Sequence, residues 1–187
     1  RAARKTAPAA PRSTAREGRS VTHPWVSVRP ATPASRLSLR APEASVAALS
    51  KALDIALPRR PKTSAHEDRR AALWLGADEW LVIDEDGRDL AAALARVRVF
   101  HSAVDISHRN VAILVSGEGA EATLAAGCPQ DLSLAAFPVG ACSRTVLGKI
   151  EIVLWRTGES AFAVECWRSF SDYAFTFLAE AARDAAV

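Results

Sequence analysis

Three features of the sequence predict an α+β fold with a mostly antiparallel sheet and helices on one face. Short segments rich in β-branched or alternating apolar residues recur in pairs along the chain. The turns between paired segments are too short for the crossovers that parallel strands require. Helical patterns with one apolar stripe separate the pairs. The resulting order, β-α-ββ-α-ββ-α-βββ-α, can hold two split βαβ units of ferredoxin-like type.

The first half of the chain contains predicted elements with clear local signals. Arg36 to Arg40 alternates apolar and polar residues, as a half-buried strand does. Pro42 favours a helix start directly after it. The turn at 76–79 separates two apolar segments and is typical of a hairpin. The predicted elements are strand 36–40, helix 43–55, a polar loop at 58–70, strands 73–75 and 80–83, and helix 90–99.

The second half continues the alternation of strand pairs and helices. The polar turn 107–110 joins two apolar segments, and the loop 128–140 carries two prolines. The last helix places Phe170, Tyr173 and Phe177 on one face. The predicted elements are strands 103–106 and 111–115, helix 117–126, strands 143–147, 150–155 and 161–167, and helix 169–184.

Residues 1–20 are predicted to form a basic arm before a single domain at 21–187. The arm is rich in Ala, Pro, Arg and Ser and lacks large apolar side chains. Such a segment buries too little surface to offset its ordering entropy, so we expect it to be disordered or to order on a partner. Residues 1–36 contain eight Lys or Arg and one acid, whereas the rest contains sixteen basic and twenty acidic residues. Because the folded part is mildly acidic, nucleic-acid binding is not expected.

The composition favours a cytoplasmic protein without a metal site. The three cysteines have spacings that match no zinc pattern, and we expect reduced core thiols. The longest apolar runs are much shorter than the roughly 18 to 20 residues that span a bilayer. The four histidines lack metal-ligand spacing, and the acidic turn at 84–86 lacks the calcium-loop pattern. The residues concerned are Cys128, Cys142 and Cys166, and His23, His66, His101 and His108.

Two short motifs suggest chemistry, but each has a simpler structural explanation. Gly117 to Ala122 fits the dinucleotide-binding spelling G-x-G-x-x-A after a predicted strand. Its two glutamates lie where a pyrophosphate would bind, so a flexible helix entry is favoured. Asp105, Ser107 and His108 are close in sequence, yet strand alternation directs His108 to the opposite face from the other two. We therefore expect Asp105 and Ser107 to satisfy backbone groups at a turn rather than to form a triad.

The dipeptide Trp-Arg ends two predicted strands, at 155–156 and at 167–168. Trp and Arg are enriched at binding hot spots. The same pattern also fits buried indoles with solvated arginines, and both interpretations remain open at this point. The candidate partner interface comprises Trp155, Arg156, Trp167, Arg168, Phe170 and Tyr173, and the sequence predicts no catalytic, cofactor-binding or metal-binding residue.

Several separated motifs occur in a fixed order between residues 70 and 180. They are LWLG at 73–76, DEWL at 78–81, VDISHR at 104–109, AGCPQDL at 126–132, FPVGACSRT at 137–145, WR at 155–156 and WRSF at 167–170. In this combination the chain resembles the gamma subunit of bacterial heterotetrameric sarcosine oxidase. The resemblance is looser in the N-terminal third.

The resemblance implies a function within a complex. Such complexes oxidatively demethylate sarcosine to glycine, pass electrons through flavins to oxygen to give hydrogen peroxide, and can transfer the one-carbon unit to tetrahydrofolate. It implies that FAD, FMN, NAD and tetrahydrofolate bind to the partner subunits, alpha, beta and delta. It also implies that the gamma chain is an accessory subunit without catalytic residues, with a fold similar to the folate-binding domain of aminomethyltransferases.

A second hypothesis is a free-standing folate-binding or aminomethyltransferase-like domain. Such a domain would need a carboxylate in an apolar pocket for the pterin ring. Asp105 is the one candidate in the sequence.

Overall fold

The computed structural model describes residues 19–185, which form two antiparallel sheets and four α-helices. The strands are β1 Val21–His23, β2 Val26–Pro30, β3 Ser35–Arg40, β4 Ser64–Glu67, β5 Arg70–Gly76, β6 Glu79–Asp84, β7 Ser102–Asp105, β8 Asn110–Ser116, β9 Cys142–Leu147, β10 Ile150–Gly158 and β11 Ala161–Trp167. The helices are α1 Val46–Leu53, α2 Leu90–Leu94, α3 Ala120–Ala125 and α4 Ser171–Asp184. The α+β prediction is confirmed.

Both sheets contain a split βαβ unit. Sheet I has the strand order β4-β5-β6-β3-β7, so β6 lies between β3 and β5, and α1 connects that outer pair. Sheet II has the order β1-β2-β8-β11-β10-β9, so β11 separates β8 from β10, and α3 lies between these two strands in sequence. This inserted-strand arrangement is the ferredoxin-like unit that the element order predicts.

The helices cover one face of each sheet, and the two remaining faces meet. Alternate side chains of sheet I form a core with α1 and α2 that includes the fully buried Trp80. Sheet II forms a second core with α3 and α4, around Phe137 and Phe162. A third, smaller cluster lies between the sheets and includes Leu73 and Val153. Because strands alternate their side chains, β5 and β6 contribute to the first and third clusters, and β10 contributes to the second and third.

A buried ion pair connects the two sheets. Arg36 lies on β3 in sheet I, and Glu165 lies on β11 in sheet II. The guanidinium donates from Nε to Glu165 Oε2 at 2.7 Å and from Nη2 to Oε1 at 3.0 Å, while Nη1 donates to the Ala34 carbonyl. The side chains are 4% and 2% exposed. This bidentate geometry satisfies two charges that would otherwise be costly to bury.

Several element boundaries differ from the sequence prediction. The segment 58–70, predicted as a loop, contains β4, which pairs with β5. Helix α2 ends at Leu94, well before residue 99, because the following amides close three-residue turns. Helix α3 begins at Ala120 rather than at Gly117, since Gly117 has a φ of +113° that a right-handed helix does not allow.

Most of the predicted arm lies outside the described residues, so its expected disorder and the single-domain boundary stay predictions. In the described part of the chain, no helix is both long enough and apolar enough to traverse a bilayer.

Candidate functional site

A stacked pair of exposed aromatic side chains stands at the end of β11. Trp167 is the last residue of the strand, and a 3₁₀ turn at Arg168–Phe170 brings Phe170 beside it. The two rings are 6.0 Å apart at 14°, and they are 46% and 39% exposed. The turn thus fixes a flat apolar surface that the chain itself leaves accessible to solvent.

Arginines flank this stacked pair. The Arg109 guanidinium lies 5.3 Å from the centre of the Trp167 ring, a distance typical of cation–π contacts. The Arg168 amide donates to the Arg109 carbonyl at 2.6 Å, which ties the 3₁₀ turn to the loop before β8. We call Trp167, Phe170 and Arg109 the aromatic patch. A preorganised Trp with Arg and Phe neighbours is the composition that binding hot spots favour.

The two Trp-Arg dipeptides have different environments. Trp155 is half-buried between the sheets, where its Nε1 donates to Ser64 Oγ at 3.0 Å and its ring contacts His66. Arg156 is 2% exposed and therefore does not lie on the surface, as a residue of the candidate partner interface would. Its guanidinium donates to main-chain carbonyls, among them Leu132 at 2.6 Å and Phe137 at 2.9 Å.

The physical reason for the burial of Arg156 is the loop 128–140. Its carbonyls have no strand partner at these positions, and an arginine with five N–H donors can serve several of them at once. The guanidinium also lies 4.7 Å from the Phe162 ring centre. The local sequence does not show this loop folding onto β10, so Arg156 resembled an interface residue.

The remaining predicted interface residues lie near the patch or on α4. Arg168 is half-buried in the 3₁₀ turn. Tyr173 is 37% exposed, and its hydroxyl accepts a hydrogen bond from the Lys149 amide at 3.2 Å. Tyr173 therefore also has a structural role, because it anchors α4 to the turn between β9 and β10.

The protein's own backbone occupies the space beside the nucleotide-like motif at Gly117. The Gly119 amide donates to the Trp25 carbonyl at 2.9 Å. A Cβ on Gly117 would lie only 2.4 Å from that same carbonyl oxygen. The glycines therefore permit the turn between β1 and β2 to approach α3, and the anion position of a dinucleotide motif is occupied by an oxygen of the chain.

Asp105, Ser107 and His108 do not form a triad. The Ser107 hydroxyl donates directly to Asp105 Oδ1 at 2.6 Å, and the Ser107 amide donates to the same oxygen at 2.8 Å. The hydrogen bond from Ser107 lowers the pKa of Asp105, against the opposing effect of burial. Asp105 is exposed at the edge of a cavity of about 540 Å³. It is thus an ionised turn-stabilising carboxylate, as the turn hypothesis expected, and a poor match for a buried pterin-binding acid.

A second cavity, of about 280 Å³, lies in the cleft between the sheets. On its rim, Glu79 accepts hydrogen bonds from Arg144 at 2.6 Å and from Arg40 at 2.8 Å. The hydrogen bond from Arg144 lowers the pKa of Glu79. A second carboxylate that lines this cavity, Glu165, accepts a hydrogen bond from Arg36. Both carboxylates are fixed by arginines, so they join the sheets and are not free to act as general bases.

The described residues contain no cluster of His, Cys, Asp or Glu that could hold a metal ion. At the acidic turn, Asp84 Oδ2 accepts from Arg70, and Oδ1 accepts from the Asp86 and Arg88 amides. Burial opposes ionisation of Asp84, but these hydrogen bonds outweigh it and lower its pKa. Internal hydrogen bonds thus hold this turn.

All three cysteines are buried and unpaired. Burial raises the pKa of the Cys142 thiol to about 12, and it does the same for Cys166, where Glu165 adds to the effect. A nucleophilic cysteine needs a lowered pKa and access to substrate. Cys142 and Cys166 are therefore inert core residues.

The Arg36–Glu165 pair was not predicted from the sequence. A signal was present, because Glu165 is the one charged residue in the apolar strand Ala161–Trp167 and so requires a buried counter-charge.

Comparison with known proteins shows the family to which the chain belongs. Residues 39–184 match the model of the sarcosine oxidase, gamma subunit family. The chain is 34% identical over 138 residues to the sarcosine oxidase subunit gamma of Corynebacterium sp. strain P-1, which covers 72% of this chain and 68% of that protein. It is 33% identical over 153 residues to the subunit gamma of an Arthrobacter species, covering 79% and 75%.

Two solved structures have similar folds. The heterotetrameric sarcosine oxidase from Corynebacterium sp. U-96 in complex with pyrrole 2-carboxylate matches with a TM-score of 0.79 and 29% identity, over 90% of this chain and 89% of the matched one. The glycine cleavage system aminomethyltransferase T from Bartonella henselae matches with a TM-score of 0.64 and 15% identity, over 87% and 49%. At that identity the second match concerns the fold alone.

Proposed function

Because the chain belongs to the sarcosine oxidase gamma subunit family, we propose that it is an accessory subunit that docks onto the partner subunits of such a complex through its aromatic patch. The observation that carries the proposal is the stacked Trp167–Phe170 pair with Arg109 beside it. These rings are held in place by a 3₁₀ turn, so they are ordered before binding and lose little conformational entropy on docking.

The reaction of the proposed complex is the oxidative demethylation of sarcosine to glycine. In it, oxygen is reduced to hydrogen peroxide and the one-carbon unit passes to tetrahydrofolate. We assign the flavin, nicotinamide and folate sites to the alpha, beta and delta partners, and a non-catalytic role to this chain. Support comes from the carboxylates of the described cavities, which are committed to arginine or backbone partners.

Co-expression with the partner subunits tests this proposal. Size-exclusion chromatography with absorbance at flavin wavelengths reports whether the chain elutes with a yellow, sarcosine-oxidising complex. We expect co-elution for the unmodified chain and its loss for W167A/F170A, because truncating hot-spot side chains typically weakens binding by about 2 kcal/mol or more each. Circular dichroism of each variant alone establishes that it is folded.

The matched control is F100A. Phe100 is 84% exposed and lies just before β7, in sheet I, so its truncation removes a similar exposed aromatic side chain elsewhere. Co-elution of W167A/F170A at wild-type levels would rule out the aromatic patch as the interface. A colourless chain that joins no complex and binds tetrahydrofolate alone would instead support the free-standing folate-binding hypothesis.

A further inference from the structure

The outer surface of α4 forms a shallow groove with an apolar floor and an acidic border. The groove has a volume of about 690 Å³. Phe177 and Tyr173 form its floor, with ring centres 6.2 Å apart. We call this surface the acidic groove, and its main lining residues are Asp172, Tyr173, Thr176, Phe177, Glu180 and Asp184.

The charge of the acidic groove is unbalanced. Asp172, Glu180 and Asp184 are exposed and lie along α4. Arg183 pairs with Glu180 at 2.8 Å, and it is the one basic residue within α4. The three carboxylates thus face two guanidiniums, that of Arg183 and that of Arg19, which pairs with Asp172 at 3.0 Å, and the remaining negative charge favours a basic occupant.

The first described residue, Arg19, lies at one end of this groove. Arg19 donates from Nη1 to Asp172 Oδ1 at 3.0 Å. Its guanidinium also lies 5.2 Å from the centre of the Phe175 ring. A basic residue of the N-terminal segment therefore already contacts the first turn of α4.

The segment before Arg19 is long enough to follow the groove to its far end. Glu180 and Asp184 lie about 12 and 18 Å along the helix from Asp172, at 1.5 Å per residue. An extended chain covers about 3.3 Å per residue, so Arg16 and Arg12 can reach about 10 and 23 Å from Arg19.

We propose that residues 1–18 bind along the acidic groove of α4, with Arg16 near Glu180 and Arg12 near Asp184. These residues include five Lys or Arg and one acid, Glu17. Their attachment at Arg19 makes the association intramolecular, with an effective concentration in the millimolar range. A second copy or a basic segment of another protein would lack this advantage. The proposal concerns a different surface from the aromatic patch and does not depend on the proposed subunit role.

Paramagnetic relaxation in the full chain tests the inference. A nitroxide label on S13C lies between Arg12 and Arg16, and the native cysteines are buried and do not compete for the label. We expect broadening of the Thr176, Glu180 and Asp184 amides in the ¹⁵N-labelled chain. Raising the salt from 0.1 to 1 M reduces the Debye length from about 10 to about 3 Å and should abolish the broadening.

The variant E180Q/D184N removes the two acidic partners and should abolish the broadening of α4. Its matched control, E67Q/E159Q, removes two exposed acids elsewhere and should leave the broadening unchanged. Absence of broadening in the unmodified sequence overturns the proposal. So does broadening that persists in E180Q/D184N, or that arises only when labelled chains are mixed with separate ¹⁵N-labelled ones, which would identify a second copy as the occupant.

Discussion

Arginine is common at interfaces, but Arg156 is buried and donates hydrogen bonds to main-chain carbonyls in the interior. Its N–H groups bind the carbonyls of Leu132, Phe137 and Glu159, which lie on two separate loops. Removing the guanidinium would leave the buried Leu132 and Phe137 carbonyls without this donor. An unsatisfied buried polar group costs about 1–3 kcal/mol.

We therefore expect Arg156→Met to lower the free energy of unfolding by about 3 kcal/mol. Arg96→Met is the control, since Arg96 is exposed and its loss should change stability by less than about 0.5 kcal/mol. Urea denaturation measures both. Equal stability of the two variants would contradict the structural role of Arg156.

The thiols of Cys142 and Cys166 should not react in the folded protein. Burial raises the pKa of each to about 12, so almost no thiolate exists at pH 8. We expect a thiol-specific disulfide reagent to label them only after denaturant is added, whereas an added cysteine at the exposed Ser160 should react at once. Rapid labelling of the native cysteines without denaturant would show that the cores open readily.

At the scale of elements, two glycines allow the cost of backbone strain to be distinguished from the cost of a steric clash. Gly117 and Gly87 both have positive φ, at +113° and +71°. A Cβ on Gly87 meets nothing within 4 Å, whereas one on Gly117 would lie 2.4 Å from the Trp25 carbonyl oxygen. Of these two glycines, only Gly117 is therefore needed for the close approach of the β1–β2 turn to the start of α3.

We expect Gly87→Ala to cost about 1–2 kcal/mol from backbone strain alone. Gly117→Ala should cost about 2 kcal/mol more, because the turn at Trp25 must also move away. Thermal and urea unfolding give both values, and the Trp25 fluorescence should change only in Gly117→Ala. Identical losses in the two variants would show that the close approach contributes nothing.

The strand β4 illustrates how one element can depend on another. Its sequence is polar and was predicted to be a loop. In the structure Ser64 Oγ donates to the Gly140 carbonyl at 2.6 Å and accepts from Trp155 Nε1, so contacts with sheet II complete the strand. Local propensity carries no information about such distant partners.

At the scale of the whole molecule, the Arg36–Glu165 pair connects the two packed sheets. Breaking one partner leaves an uncompensated buried charge, which costs about 3–5 kcal/mol. Replacing both partners by apolar groups removes that penalty.

We expect Glu165→Leu alone to destabilise the chain by about 4 kcal/mol, and the double variant R36M/E165L to recover most of this loss. The exposed pair Glu180–Arg183 provides the control, since Glu180→Gln should cost no more than about 1 kcal/mol. A double-mutant cycle with urea unfolding checks this. Additive losses at positions 36 and 165 would mean that the pair does not couple the sheets.

The sequence by itself determined the α+β class and most of the strands and helices. Alternation in Arg36–Arg40 and the apolar stripe of α4 are local signals, because hydrogen bonding and side-chain direction within an element depend on nearby residues. The separated motifs were also sufficient to indicate the family. Two interpretations of the sequence could be examined only in the structure. One is that Phe170 lies at the surface, and the other is that the Gly117 motif is a helix entry and not a nucleotide site.

Only the tertiary structure decided how the strands divide into two sheets and what each charged residue faces. The burial of Arg156, the pairing of Glu165 with Arg36 and the existence of β4 depend on contacts between residues far apart in the chain. A residue's environment follows from which surfaces meet, and packing of whole layers sets that geometry. The same packing left Trp167 exposed at the end of β11 and Trp155 half-buried within β10, although both precede an arginine.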